Sequence, residues 1–248
     1  MNNKAEARRF AVLEAFKSDT TTNLSLSKGV ENESDLSDLM VELEMYSKRH
    51  LDSGIYLDSY TQSFRVSHNV MLISNYLDSL EATRFERYVA LLVKIFGYNL
   101  TYATKASHDQ GIDFFGVKAF ELFDSPRKSF LMGQAKKYNS LVTVEEIRNF
   151  AGSLFLMRSR EFSQAKATYS SMVTRSFTPV EGLFATSYFF SPPALKLCEN
   201  SDIICLDFVD LVLLTEKAIL KHDLEIEVND VFDAVKTDAE LDKIEVLR

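Results

Sequence analysis

The sequence predicts an α/β fold in which a central mixed sheet is flanked by helices and a small, mainly helical region precedes it. Three observations carry this. From residue 81 onward the patterns run helix, several strands, helix, strand, helix, an order that sandwiches a sheet between helices. Before that point, residues 34–49 and 70–80 show apolar residues at helical spacing. Finally, 248 residues with 46% hydrophobic content supply enough apolar material for one sizeable core and a small appendage. The expected division is residues 1–75 for the helical region and 76–248 for the main domain.

Taken in order, residues 4–17 read as a short helix with Phe10, Leu13 and Phe16 on one face, and residues 18–34 as a polar loop. A second helix spans 34–49, with Ser34 or Asp35 as a cap and Leu36, Leu39, Leu43 and Tyr46 recurring along it. Ile55, Leu57, Phe64 and Val66 alternate around a polar turn and predict a hairpin. Two helices and a hairpin suggest a winged-helix-like module. Its would-be recognition helix carries Asp35, Asp38, Glu42 and Glu44, however, and would repel phosphates. A contact surface for the other domain or a partner chain is the better reading. A strong helix runs over 81–96, with Phe85, Val89, Leu92 and Ile95 in a stripe and Gly97 as its stop. Strands follow at 100–103, 112–117 and 129–135, then a helix at 144–155. Residues 167–174 and 182–185 carry no decisive pattern. Pro192 and Pro193 punctuate before helical turns at 194–200. A compact apolar strand at 203–206, a helix at 210–217 and a surface element at 231–244 complete the chain.

Several function classes are excluded. No apolar run reaches the length of a membrane span, because Asp207 and Asp210 interrupt the longest one. Glu14 and Lys17 break the N-terminal apolar run, so no signal peptide is expected and the expected compartment is cytoplasmic. Cys198 and Cys205 lack further ligands for zinc and read as buried free thiols. No phosphate-gripping glycine loop is present, so no nucleotide cofactor is expected, and Ser187 has no His and Asp at the spacing of a nucleophile motif. Tyr188, Phe189 and Phe190 read as core. The net charge of -8, from 28 Lys plus Arg against 36 Asp plus Glu, argues against a protein that coats nucleic acid without sequence preference. It leaves room for a locally acidic metal site.

The chemistry concentrates at 109–138. Asp113 begins or lies within one strand, and Gln134 and Lys136 end another. Side chains alternate along a strand, so Gln134 and Lys136 share a face. If the two strands are neighbours in a hairpin, Asp113 joins them. One carboxylate, one amide oxygen and one ammonium suit phosphodiester hydrolysis: the oxygens bind a hard divalent cation, and Lys136 positions water and offsets phosphate charge. Glu86 on the preceding helix could add a second carboxylate. Taken singly, Asp113 reads better as a turn residue and Lys136 as a solvated edge lysine; the site reading rests on the set in order. His108 and Asp109 stand close in sequence and are weaker candidates. Arg127, Lys128, Lys137 and Arg148 are expected to ring the cleft.

The segments FERYVALLVKIFGY at 85–98, DQGIDFFG at 109–116, GQAKKY at 133–138 and VEEIRNFAGSL at 144–154 together resemble the Mrr-type restriction endonuclease domain of the PD-(D/E)xK nuclease superfamily. TRSFTPVEG at 174–182 and IICLD at 203–207 extend the likeness, which covers about residues 81–215. The resemblance implies a restriction-endonuclease-like core and a metal-dependent endodeoxyribonuclease. Asp113, Gln134 and Glu86 would be metal ligands and Lys136 the catalytic lysine. Mg2+ would be the cofactor, with Mn2+ as a substitute. It implies double-stranded DNA as substrate, restriction or phage defence as setting, and a homodimer or partner subunit. The short acidic N-terminal region and the negative net charge depart from that pattern. They keep open a second reading, a catalytically silent nuclease fold serving as an interaction subunit.

Overall fold

The computed structural model describes residues 22–23, 33–50, 55–58, 63–98, 100–103, 111–159 and 178–221. The expectations for 4–17, 167–174 and 231–244, and those for His108 and Asp109, lie outside the described residues. The described part falls into two compact units. One comprises residues up to Ser79 together with Val209 onward, and the other runs from Leu80 to Phe208.

The second unit is built on a five-stranded mixed sheet. Helix α3 (Ala82–Ile95) leads into β4 (Leu100–Ala103), β5 (Phe114–Leu122) and β6 (Ser125–Lys136). Helix α4 (Val144–Ser159), β7 (Val180–Thr186), α5 (Pro192–Asn200) and β8 (Ile203–Leu206) follow. The strand order is β4-β5-β6-β7-β8, antiparallel from β4 to β6 and parallel from β6 to β8. The parallel steps require crossovers, and helices α4 and α5 lie on those connections.

Alternation divides the apolar residues between two faces. Phe115, Val117, Phe130, Met132, Val180 and Phe184 join Ile147, Phe150 and Leu154 of α4 and Ala194 and Cys198 of α5 in one buried cluster. Phe184 anchors it, meeting Phe150 and Phe190 edge to face at 5.6 and 5.8 Å between ring centroids. Phe114, Leu131 and Ala135 have the opposite parity. Helix α3 packs on β4, β5 and β6 and buries Phe85, Tyr88, Val89 and Leu92. Ile95, expected in that stripe, is 38% exposed at the last turn. A Cβ on Gly133 would fall 2.0 Å from the ring of its cross-strand partner Phe114, so only glycine lets that buried ring lie across β6.

Two local readings need correction. Strand β8 ends the sheet, so Ile203 is buried but Ile204 is 43% exposed. Cys198 and Cys205, expected as free thiols, form a disulfide. The chain reverses at Ser201 and Asp202, which lays β8 back along α5 and brings the two Cα atoms to 6.7 Å. Helix α5 begins as its sequence indicates. Ser191 caps it by accepting the Ala194 N–H, and prolines occupy its first turn, where no donor is needed.

The first unit contains a three-stranded antiparallel sheet, order β1-β3-β2, from β1 (Thr22–Asn23), β2 (Ile55–Asp58) and β3 (Ser63–Val66). Helices α1 (Glu33–Arg49), α2 (His68–Ser79) and α6 (Phe208–Lys221) supply Leu43, Val70, Ile73, Leu77, Val212 and Leu213 to its buried interior. Asp210 of α6 is buried and satisfied from α1 and its end. It accepts bonds from Arg49 at 3.0 and 3.2 Å and lies 2.7 Å from His50 Nε2. Glu216 of α6 accepts from the Ser67 hydroxyl.

Candidate active site

Asp113 stands one residue ahead of β5, and its N–H donates to the Gly133 carbonyl at 2.9 Å. The register Phe114↔Gly133, carried one step on, sets Asp113 opposite Gln134. Directly opposed residues of an antiparallel pair share a face, and Lys136 follows Gln134 by two. The fold therefore brings Asp113, Gln134 and Lys136 together on the face covered by α4 and α5. Asp113 is 4% exposed. Such a carboxylate needs partners, and its Oδ2 accepts the Ala135 N–H at 2.8 Å and lies 3.8 Å from Lys136 Nζ. Gln134 is also buried. A Cβ on Gly111 would meet Gln134 Nε2 at 3.4 Å and Ser153 Oγ at 3.3 Å, so the turn before Asp113 passes close to the amide. Gly111 holds φ +84, a backbone that glycine adopts without strain.

The backbone just after Lys136 is clamped. Ser187 N–H donates to Lys136 O at 3.1 Å. The Ser187 hydroxyl both donates to Tyr138 O and accepts from Tyr138 N, each at 2.9 Å. Ser187, uninformative as a nucleophile, thus fixes the strand end that carries Lys136. Tyr138 in turn hydrogen-bonds Glu146 of α4. Burial pushes its phenol up to about 12, helped by that bond and by the negative charges of Glu146 and Asp113. Glu146 also closes a capping box, accepting the Thr143 N–H at 2.7 Å while Thr143 Oγ1 accepts the Glu146 N–H at 3.4 Å. The T-x-x-E spacing at 143–146 was the available sequence signal for this cap. The Ser187–Tyr138 clamp joins residues 49 apart and left no such signal.

Glu86 starts from a different layer. It is half-buried on α3, which covers the other face of the sheet. Helix α3 turns directly into β4, and β4 runs from the Val117 rung towards the Phe114 rung. The N-terminal half of α3, with Glu86, therefore lies at the Asp113 end of the sheet. Among the described residues, no three His, Cys, Asp or Glu side chains converge in a group able to hold a metal ion. The expected basic ring is only partly formed. Arg127 sits nine residues before Lys136 on one extended strand, about 30 Å away at about 3.3 Å per residue, and Lys128 is hardly closer. Lys137 neighbours the site in sequence but points to the other face by alternation. Arg148 is exposed on α4 and faces Glu145 at 3.8 Å.

The restriction endonuclease family with the Mrr catalytic domain matches residues 77–215, more than half of the chain. The chain belongs to this family. The match takes in α3, all five strands of the large sheet, α4 and α5, so the mixed sheet with its flanking helices is a restriction-endonuclease-like core. No curated protein matches the sequence. Among solved structures, this restriction endonuclease chain is similar to the MspJI restriction endonuclease in complex with a 27-mer oligonucleotide, at 13% identity and TM-score 0.47, over 73% of this chain and 38% of that one. It is similar to the DNA modification-dependent restriction endonuclease AspBHI at 16% identity and TM-score 0.45, over 70% and 41%. For the restriction endonuclease FokI bound to DNA the values are 10% and 0.35, over 100% and 50%. The chain thus spans about two fifths of the length of MspJI and AspBHI.

Proposed function

We propose that this member of the restriction endonuclease family is a metal-dependent endodeoxyribonuclease that hydrolyses phosphodiester bonds of double-stranded DNA, in restriction or phage defence. The observation that carries the reading is the buried Asp113 carboxylate set 3.8 Å from the Lys136 ammonium, with Gln134 on the same face. The donor set fits Mg2+, with Mn2+ as a substitute. Magnesium keeps several waters and is held by one or two carboxylates plus substrate phosphate oxygens. Asp113 and the Gln134 amide oxygen would hold it, with Glu86 approaching from α3. When bound, the ion polarises the scissile phosphate and acidifies a water. Lys136 orients the attacking water and offsets charge growing on the phosphate oxygens. Ser187 and Tyr138 hold the end of β6 so that this ammonium stays aimed. The start of the family match at residue 77 supports a nuclease domain running from about residue 76.

The test is nicking of supercoiled plasmid with Mg2+, with Mn2+ and with excess chelator. Cutting should stop in chelator. Asp113→Asn, which keeps an acceptor for the Ala135 N–H, and Lys136→Ala should each abolish it while circular dichroism and melting stay as in the wild type. Cutting that persists in chelator overturns the metal mechanism, and equal cutting by the variants moves the site elsewhere. The net charge of -8 favours one other reading, a silent nuclease fold acting as an interaction subunit. Wild-type protein inert with both metals would select it.

A further inference from the structure

Strands β5 and β6 run past the sheet that holds them. Among the described residues, β4 pairs with β5 only at Phe114 to Val117, and β7 pairs with β6 only from Phe130 onward. Among the described residues, the rungs from Lys118↔Ser129 to Leu122↔Ser125 pair only with each other. They form a two-stranded ribbon about 17 Å long at about 3.3 Å per residue, anchored at its base by the buried Ser129 and by Lys118, whose Nζ lies 5.9 Å from the centre of the Tyr98 ring. Its loop is Phe123 and Asp124, at φ 50 and φ 58. Both positions of such a two-residue turn ask for glycine, asparagine or aspartate, so Asp124 suits its place and Phe123 does not. Phe123 is 94% exposed, so no internal contact offsets its strain. Strain kept without a folding benefit points to use.

The ribbon's two faces differ. Phe120 and Leu122, both exposed, share theirs with Lys118, Arg127, Ser125 and Ser129 and with no carboxylate. Lys118, Arg127 and Lys128 against Glu121 and Asp124 leave the ribbon one charge positive, in a chain of net charge -8. We propose that this ribbon is a second DNA contact, remote from hydrolysis. It lies along a groove of the duplex, with Lys118 and Arg127 on phosphates and the Phe123 ring wedged against the base stack. A two-stranded ribbon fits a DNA groove, and exposed apolar tips on basic arms unstack base steps. The tip stands about 30 Å from Asp113 along β5, so it contacts duplex beyond the scissile bond. This inference rests on the reading of DNA as substrate.

The test measures binding of a labelled 30-base-pair duplex to the full chain in chelator, where no cutting occurs. Phe123→Asn suits the left-handed backbone and should raise the melting temperature, yet weaken duplex binding about tenfold. Lys118→Ala and Arg127→Ala should each lower the slope of log affinity against log salt by about one. Wild-type affinity in Phe123→Asn overturns the proposal. A loss of dimer in light scattering, with duplex affinity per chain unchanged, also overturns it and makes a second copy of the chain the occupant. If the wild type binds duplex through the ribbon but cuts nothing with either metal, the ribbon stands and the nuclease reading falls.

Discussion

Tyr138 couples the end of β6 to the first turn of α4, and its titration reports on that link. Its phenol is raised from 10.0 to about 12, so the folded state favours the protonated form. The resulting stability is complete below pH 10 and is lost as pH rises from 10 to about 12. Tyr138→Phe lacks the bond to Glu146 and should melt lower than wild type at pH 8. The gap should close by pH 12, and a gap that persists there would show that the folded chain does not hold the phenol protonated. At this scale the sequence displayed part of the site. That Asp113, Gln134 and Lys136 of the candidate site share a face was legible, because strand alternation and a hairpin fix which side chains lie together. Ser187 and Tyr138 were not, because their meeting depends on β7 lying parallel to β6, a pairing between residues some fifty positions apart. The disulfide was hidden for a related reason. A seven-residue spacing says nothing until the reversal at Ser201 and Asp202 is known.

Among the elements, β6 is the most constrained, since it takes neighbours on both sides and carries the site at its end. Gly133→Ala would drive a methyl into the buried Phe114 ring, one rung from Asp113. It should cost about 1–3 kcal/mol of stability in chemical denaturation, as overpacking of cores does. An unchanged midpoint would mean that the ring has room to move. Strands β4 and β8 were legible to the residue, and α3 to within one residue at each end, because apolar runs bounded by turns and a glycine stop mark them. Strands β5 and β6 were read too short. Residues 118–128 mix charges, exposed aromatics and Pro126, since a ribbon wet on both faces has no reason to alternate.

For the whole molecule, the proposed function gives each chain one Asp113–Lys136 site, and a concerted cut of both strands of a duplex calls for two. A dimer should therefore assemble on DNA, and light scattering in chelator with a specific duplex would show a mass near twice the 28.2 kDa chain plus DNA. A monomer under those conditions, with double-strand breaks still made, would require sequential nicking instead. Net charge says nothing of where charges lie. It counts carboxylates wherever they lie, whereas Lys118 and Arg127 of the β5–β6 ribbon share one exposed face and Lys128 lies on the other. Helix α6 was likewise legible as a helix, but nothing in its pattern assigned it to the unit that the chain leaves at Ser79 and rejoins at Val209.

That assignment bears on how the chain is made. The first unit opens at the N-terminus, yet its buried Asp210, which satisfies Arg49 and His50, is translated only after all of Leu80–Phe208. At about 5–20 residues per second, the N-terminal segment waits on the order of ten seconds on the ribosome without its third helix. The described strands and helices of the second unit, from α3 to β8, are contiguous in the chain and can close first. Biogenesis therefore runs against chain order, and a fragment ending at β8 would leave the N-terminal unit with its interior open.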